Sequence, residues 1–318
     1  MSDTCLLSAI DFADRTFPFS YGLLPDSLSA SIAKVGLLQP PLLKAGENGY
    51  KIVCGRRRLE VLRNQVLRQG CGRTSGLEVC LASAKISAQE LFRRALWDNL
   101  AIREFNPVEV ADIYTAALSL FSRAEVEQEI MPALKLPLRS RFQQRCQALA
   151  GFSRELRDLV AAGIVDGETV DLLREWPEAA QTILLEILAD FGLRRNKLRE
   201  VVSRMDDLAR RDRCSPLVFL QAVRKGVAAE GESGGVEGLR QYLKTLLYPH
   251  LSAAQLEFAR RQAKFAWPAG LCLEPPPDFE GGRFRLSFTF TDAQEWARAC
   301  DRLTATARED IEELCRRG

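Results

Sequence analysis

The stretch "YKIVCGRRRLEVLRN", Tyr50–Asn64, sets an apolar run, one glycine and three consecutive arginines side by side. Tyr50–Cys54 is rich in β-forming residues and reads as a short strand. The chain turns at Gly55, and a helix is expected from Arg56 to about Arg68. A strand that stops at glycine and opens a helix can hold phosphate. Backbone N–H groups at a helix N-terminus are unsatisfied, and the dipole there favours an anion. Gly55 lets the backbone approach a ligand closely, and Arg57 and Arg58 can add bidentate bonds to phosphate oxygens. The alternative is a helix whose first turn simply carries arginines. Cations at that end oppose the dipole by about 0.3–1 kcal/mol each, so three of them call for an anion.

Around this turn, residues 1–105 mix short strands and helices. Asp26 is expected to cap a helix with Leu28, Ile32 and Val35 at helical spacing, ended by Gly36. "LLQPPLLKA" reads as a loop running into a strand, "GENGY" as a turn and "LEVCLAS" as another strand. Ser87 caps a further helix, "AQELFRRALWDNL". From Pro107 to about Arg213 the pattern is almost wholly helical. It starts with Asn106 as N-cap and Pro107 at the first helical position, and breaks at "LKLPLRS", "AGF", "AAGIVDGET" and "DFGL". "AAEGESGGVEG", around 228–238, is the linker expected before a third unit. There Phe284, Leu286, Phe288 and Phe290 alternate as in a half-buried strand, followed by a helix capped near Thr291 or Asp292. The expected layout is α+β: an α+β domain over 1–105, an all-α helix-turn-helix-like domain over 106–228 and a small α/β unit over 239–318.

Composition narrows the function. With 318 residues, 47% of them hydrophobic, the chain can build proper cores. The net charge of +2 means that any positive surface is local. Nine cysteines, none in a CxxC, fit thiols of a reducing compartment better than a disulfide framework. The only histidine, His250, leaves almost no material for histidine metal sites or for Ser-His or Cys-His catalysis. No apolar run reaches the roughly 18–20 residues of a membrane span, and the N-terminus lacks the pattern of a signal peptide. The expectation is a cytoplasmic protein without a membrane partner.

A second polar cluster, "WDNLAIREFNP", spans Trp97–Pro107. Asp98 and Asn99 can offer Mg²⁺ a few oxygen contacts, leaving phosphates and water to complete the octahedron. The alternative is a pair of ordinary polar groups at a helix end. Between Lys135 and Arg157 stand six basic residues, Lys135, Arg139, Arg141, Arg145, Arg154 and Arg157, against one acid, Glu155. Arg141 and Arg145 share a helix face with Gln144, the residue types that read guanine and adenine edges in the major groove. A solvated basic face is the alternative. The helix before them, "RAEVEQEIMPAL", is acidic and contains Pro132. A second basic stretch, Arg194–Arg213, reads as a salt-bridged surface helix whose apolar stripe is Leu198, Val201, Val202, Met205 and Leu208.

Taken in order, "LSASIAKVGLLQPPLLK", "YKIVCGRRRLEVLRN" and "LWDNLAIREFNPVEVADIY" resemble three successive boxes of the ParB-like family of chromosome and plasmid partition proteins. Those boxes run L-x-x-S-I-x-x-x-G-x-x-Q-P, GERRLRA and ENLQRxDLNPxExA. The likeness covers residues 20–115 and continues more faintly to about 205, through the family's helix-turn-helix. It implies a ParB/sulfiredoxin-like N-terminal domain that binds CTP with Mg²⁺, and nucleotide-binding roles for Gln39, Pro40, Gly55, Arg57, Arg58 and Asn99; Arg56, the extra arginine of the same turn, is grouped with them. It implies Mg²⁺ contacts through the nucleotide for Asp98 and Asn99, and DNA contacts for Lys135, Arg139, Arg141, Gln144 and Arg145. Double-stranded DNA, a homodimer, a partner ATPase, a place on the nucleoid and a role in DNA segregation or regulation come with it.

Departures from the boxes bear on mechanism. Arg56 stands where the family has a glutamate implicated in hydrolysis, so at most a weak CTPase is expected. Glu60 replaces an arginine. In the third box the family's arginine falls on Ile102, with Arg103 one step later. Lys135 stands where the helix-turn-helix usually has glycine. A kinase or nuclease on the same N-terminal fold is the alternative from another class, and a DNA-binding adaptor with a decayed pocket is the third.

Overall fold

The computed structural model describes residues 3–47, 49–69, 76–137, 140–230, 235–264, 271–280, 283–305 and 312. The chain forms two units, residues 1–202 and 203–318.

The first unit opens with β1 (Asp3–Cys5) and β2 (Ile10–Asp11), then α1 (Asp26–Val35), β3 (Leu42–Gly46), β4 (Gly49–Cys54), α2 (Arg56–Gln69) and β5 (Leu77–Leu81). The five strands make one sheet in the order β1-β5-β3-β4-β2. β3 pairs antiparallel with β4 and parallel with β5, and β2 runs parallel to β4. Its core holds Cys5, Ile10, Leu43, Ile52, Leu59 and Val79, so α2 is fastened to the sheet by Leu59, four residues past Gly55. The Cys80 N–H of β5 donates to the Pro41 carbonyl (2.9 Å), and the antiparallel β3–β4 pairing sets Leu42 opposite Cys54, which brings Pro41 beside Gly55 at the end of β4.

α3 (Ala88–Leu100) starts at Ser87, whose hydroxyl accepts from the Glu90 N–H. α4 (Pro107–Leu120) starts at Asn106, with a reciprocal capping box between Asn106 and Glu109. Pro25, rather than Asp26, holds the N-cap position of α1, so Asp26 lies one step inside the helix and makes no side-chain cap. Its carboxylate still suits the first turn electrostatically.

α5 (Arg123–Glu125), a π-helical turn over Val126–Ile130 and α6 (Met131–Ala133) follow one another directly. The wide turn explains how Pro132 is accepted: proline has no N–H for the carbonyl four residues back, and its ring clashes there in a regular helix. The segment closes with Lys135 at φ 56°, while the N–H groups of Lys135 and Leu136 donate back to Pro132 and Met131. Lysine thus occupies the left-handed position that glycine usually fills. Then come α7 (Ser140–Gly151), α8 (Arg154–Ala161), α9 (Gly167–Leu173), α10 (Glu178–Phe191) and α11 (Arg195–Arg211), which begins in the first unit and continues into the second. The expected apolar stripe of α11, Leu198, Val201, Val202, Met205 and Leu208, is fully buried.

The second unit contains α12 (Pro216–Glu230), α13 (Gly235–Leu247), α14 (Pro249–Ala263), the antiparallel hairpin β6 (Leu271–Glu274) and β7 (Arg285–Phe288), and α15 (Ala293–Ala305). Of the expected linker stretch 228–238, residues 231–234 lie outside the described residues, α12 runs through Glu230 and α13 begins at Gly235. One expectation is corrected here. The alternating strand is not half-buried. Phe284 packs on Phe258, and Phe288 and Phe290 lie 5.2 and 5.1 Å from the ring of Trp296 on α15, yet Leu286 and Phe290 remain 43% and 51% exposed. Asp292 caps α15 by accepting from the Glu295 N–H (2.7 Å). Among the described residues no helix is long and apolar enough to cross a membrane.

Candidate functional site

Gly55 sits at φ +89° between β4 and α2. A Cβ there would come within 3.0 Å of Pro41 Cβ and 3.1 Å of an Arg58 nitrogen. Both the backbone angle and the space therefore require glycine. With no side chain at this position to cap α2, the first-turn N–H groups are left for a ligand or water.

The three arginines after the turn go to three different places. Arg58 donates to the Gln39 carbonyl (2.6 Å) and lies 3.4 Å from Gln39 Oε1, which joins the exposed Gln39 to the turn. Arg57 donates to Glu109 Oε1 (3.0 Å) and keeps 26% of its side chain exposed. Arg56 is buried at 6% exposure. Its terminal nitrogens donate to the carbonyls of Phe12 and Asp14, and its Nε has no partner. Glu60 faces it at 3.8 Å. Sequence reading grouped Arg56 with the phosphate donors, whereas the structure uses it to tie down the loop after β2.

Glu109 is the residue that sequence reading missed. It is fully buried. Its carboxylate accepts from Arg57, from both terminal nitrogens of Arg103 (2.7 and 3.0 Å), and from the backbone N–H groups of Tyr21 (3.0 Å) and Asn106 (3.0 Å). Such a buried carboxylate is tolerated because its lone pairs are met by charged and backbone donors. The signal was in the sequence: Asn106 followed three residues later by glutamate is a capping-box pattern. Arg103 also donates to the Phe19 carbonyl and lies 4.7 Å from the Phe105 ring centroid, so the arginine one step after Ile102 fills the buried position. Ile102 itself is 74% exposed.

From Glu109 the network continues to α8. Tyr21, whose N–H binds Glu109, accepts at its carbonyl from Asn106 Nδ2 (3.0 Å). The Tyr21 ring lies 4.7 Å from the Arg157 guanidinium, and Arg157 donates to both oxygens of Asp112 on α4 (2.7 Å each). Burial, with Asp158 nearby, pushes the Tyr21 phenol up to about 12.

Asp98 approaches the turn from the end of α3. Burial, then the Asp98 charge, pushes the Cys54 thiol up to about 12, against an opposing influence of Arg58. Asn99 donates its amide to the Ala95 carbonyl (2.8 Å), an ordinary helix-internal bond that leaves its oxygen available. The donor set fits an anion: one glycine-made approach, an open helix start and two arginines. It offers a divalent cation only the Asp98 carboxylate and the Asn99 oxygen. Among the described residues no group of three His, Cys, Asp or Glu side chains is placed to hold a metal. Magnesium would fit here only together with phosphates.

On α7, Arg141 and Arg145 both bind Asp171 of α9. Arg141 Nε donates to Oδ2 (2.6 Å), and Arg145 donates to Oδ1 (3.1 Å) and Oδ2 (2.6 Å). Gln144 Oε1 accepts from Arg174 (2.8 Å). Burial alone would raise the Asp171 carboxyl, but the bonds from Arg145 and Arg141 outweigh it and hold it below the usual range. Arg139 lies outside the described residues. On α11, Arg195 and Arg199 lie 3.6 and 3.7 Å from Asp166, in keeping with a salt-bridged surface helix.

No protein-family model matches the chain, and no curated protein matches it. Among solved structures it is similar to the C-terminally truncated chromosome-partitioning protein ParB from Caulobacter crescentus complexed with CTP-gamma-S. That similarity has 17% identity and a TM-score of 0.26, and covers 56% of this chain and 94% of that one. The same truncated protein complexed to the centromeric parS site gives 15% identity and a TM-score of 0.29, over 62% and 96% of the two chains.

Proposed function

We propose that this chain is a ParB-like, nucleotide-responsive DNA-binding protein, with the glycine–arginine turn as its nucleotide-phosphate site. The observation that carries the reading is the wiring of that turn. Gly55 opens α2 toward a ligand, Arg57 and Arg58 flank it, and Arg57 is joined through Glu109 and Tyr21 to Arg157 on α8. An anion at the turn competes with Glu109 for Arg57, and any shift of Arg57 reaches the contacts that seat α8.

The nucleotide is CTP, the one the sequence resemblance implies. Gly55, Arg57 and Arg58 would hold its phosphates, Gln39 and Pro40 would lie toward base or sugar, and Asp98 and Asn99 would contact Mg²⁺ carried by the phosphates. The phosphates supply the anion that the arginines lack. Turnover is weak in this reading: Arg56 stands at the position of the family's glutamate, and Glu60 faces Arg56. A homodimer is part of the proposal. Leu38, Trp97 and Ile102 are 80%, 55% and 74% exposed.

Duplex-DNA binding measured with and without CTP and Mg²⁺ tests the switch. A salt-dependent affinity or dissociation rate that changes with nucleotide supports it; binding that ignores nucleotide leaves the adaptor reading.

A further inference from the structure

We infer that Asp171 is a positioning residue for a duplex-reading face on α7, holding Arg141 with its terminal amino groups turned outward. This rests on the DNA-binding part of the proposed function and assigns a role to a residue that the sequence did not single out.

The starting point is a charge imbalance. One carboxylate, 6% exposed, receives two arginines. A pair built only for stability needs one cation, and the second leaves a unit of positive charge at the surface. The two arginines are also held differently. Arg145 binds Asp171 side-on through Nε and one terminal nitrogen, and its side chain is 30% exposed. It lies over Gly167, where an added Cβ would come 2.3 Å from its NH1 and 2.7 Å from its Cζ. Arg145 therefore has its place because residue 167 is glycine. Arg141 uses Nε alone and is 68% exposed. Its two terminal amino groups, the fork that matches the O6 and N7 of guanine or two phosphate oxygens, have no bond to a described residue.

Gln144 is fixed in the same sense. Its Oε1 accepts from Arg174, so its NH₂ faces away from α9. Residues 141, 144 and 145 lie at helix-neighbour spacing, and the groups left free on the first two are a guanidinium fork and an amide donor. Asp171 and Arg174, both from α9, hold them. An exposed arginine normally loses much rotamer freedom on binding. Here Asp171 fixes it beforehand, which favours discrimination between bases over simple charge attraction. A carboxylate that masked the arginine would take its terminal fork, and this one takes Nε.

The test uses the full chain. A duplex enriched from a random-sequence library by the wild type is compared with the unselected random pool, by fluorescence anisotropy over a range of salt. Asp171→Asn is expected to reduce the preference for the enriched duplex about tenfold or more, while the salt slope on the random pool stays as in wild type. Gly167→Ala, which changes no charge, is expected to weaken the preference by displacing Arg145 and loosening the Asp171 clasp; thermal melting checks that it folds. If Asp171→Asn does not fold, Gly167→Ala decides. Variants that discriminate like wild type, or that bind the random pool more tightly, overturn the inference alone. A wild-type chain that binds no duplex at all overturns the DNA-binding reading and the inference with it.

Discussion

Arg57, in the first turn of α2, donates to Glu109 Oε1 at 3.0 Å across 52 positions of sequence. That bond turns a local strand–glycine–helix device into part of a larger structure. The same carboxylate holds Arg103, Tyr21 and Asn106, so the glycine–arginine turn and the start of the helical region share one buried charge.

Removing that charge should be costly. Glu109→Gln leaves Arg57 and Arg103 facing a neutral acceptor in a buried site. We expect a loss of about 3 kcal/mol of folding stability, read from urea unfolding. Arg57→Ala should cost less, because the side chain is partly exposed and Arg103 still neutralises Glu109.

Gly55→Ala should separate binding from folding. The positive φ and the 3.0 Å approach to Pro41 predict a penalty of about 1–2 kcal/mol, together with loss of anion binding at the turn. Thermal melting with and without nucleotide checks both. Wild type should gain melting temperature with nucleotide and the variant should not.

Lys135 predicts the opposite sign. It is a non-glycine residue at φ 56° in the left-handed position after α6. Lys135→Gly should stabilise the fold by about 1 kcal/mol in chemical denaturation. If Lys135 also contacts DNA, the same substitution should weaken duplex binding, so stability and affinity would move in opposite directions.

Asp171 predicts a pH dependence. Its folded-state pKa is depressed, so its contribution to stability is present above the unfolded carboxylate value and lost as pH falls through the folded value. The stability gap between wild type and Asp171→Asn should be complete at neutral pH. It should begin to narrow near pH 4, the ordinary aspartate range, and close below it. Acid titration of the unfolding midpoint for both proteins measures this.

Much of the first unit was legible in the sequence because its signals are local. Gly55 after a β-rich run, Ser87 and Asn106 as caps, and the apolar stripe of α11 each depend on residues within a few positions. The Glu109 network was half legible. The capping box marked Glu109 as a helix-start residue, but only the fold brings Arg57 to it. The Asp171 clasp left no trace, since its partners lie 26 and 30 positions away and nothing in the spacing pairs them. Arg56 was misgrouped for a similar reason. Three adjacent arginines at a helix start point in different directions around the axis, and the one facing the sheet is taken by the carbonyls of Phe12 and Asp14.

Titration calorimetry of CTP with Mg²⁺ into the wild type and into Arg57→Ala tests the central claim most directly. The account predicts CTP binding by the wild type and its loss in the variant, with melting curves showing that both are folded. Absence of CTP binding to the folded wild type, or equal binding to both proteins, would contradict it.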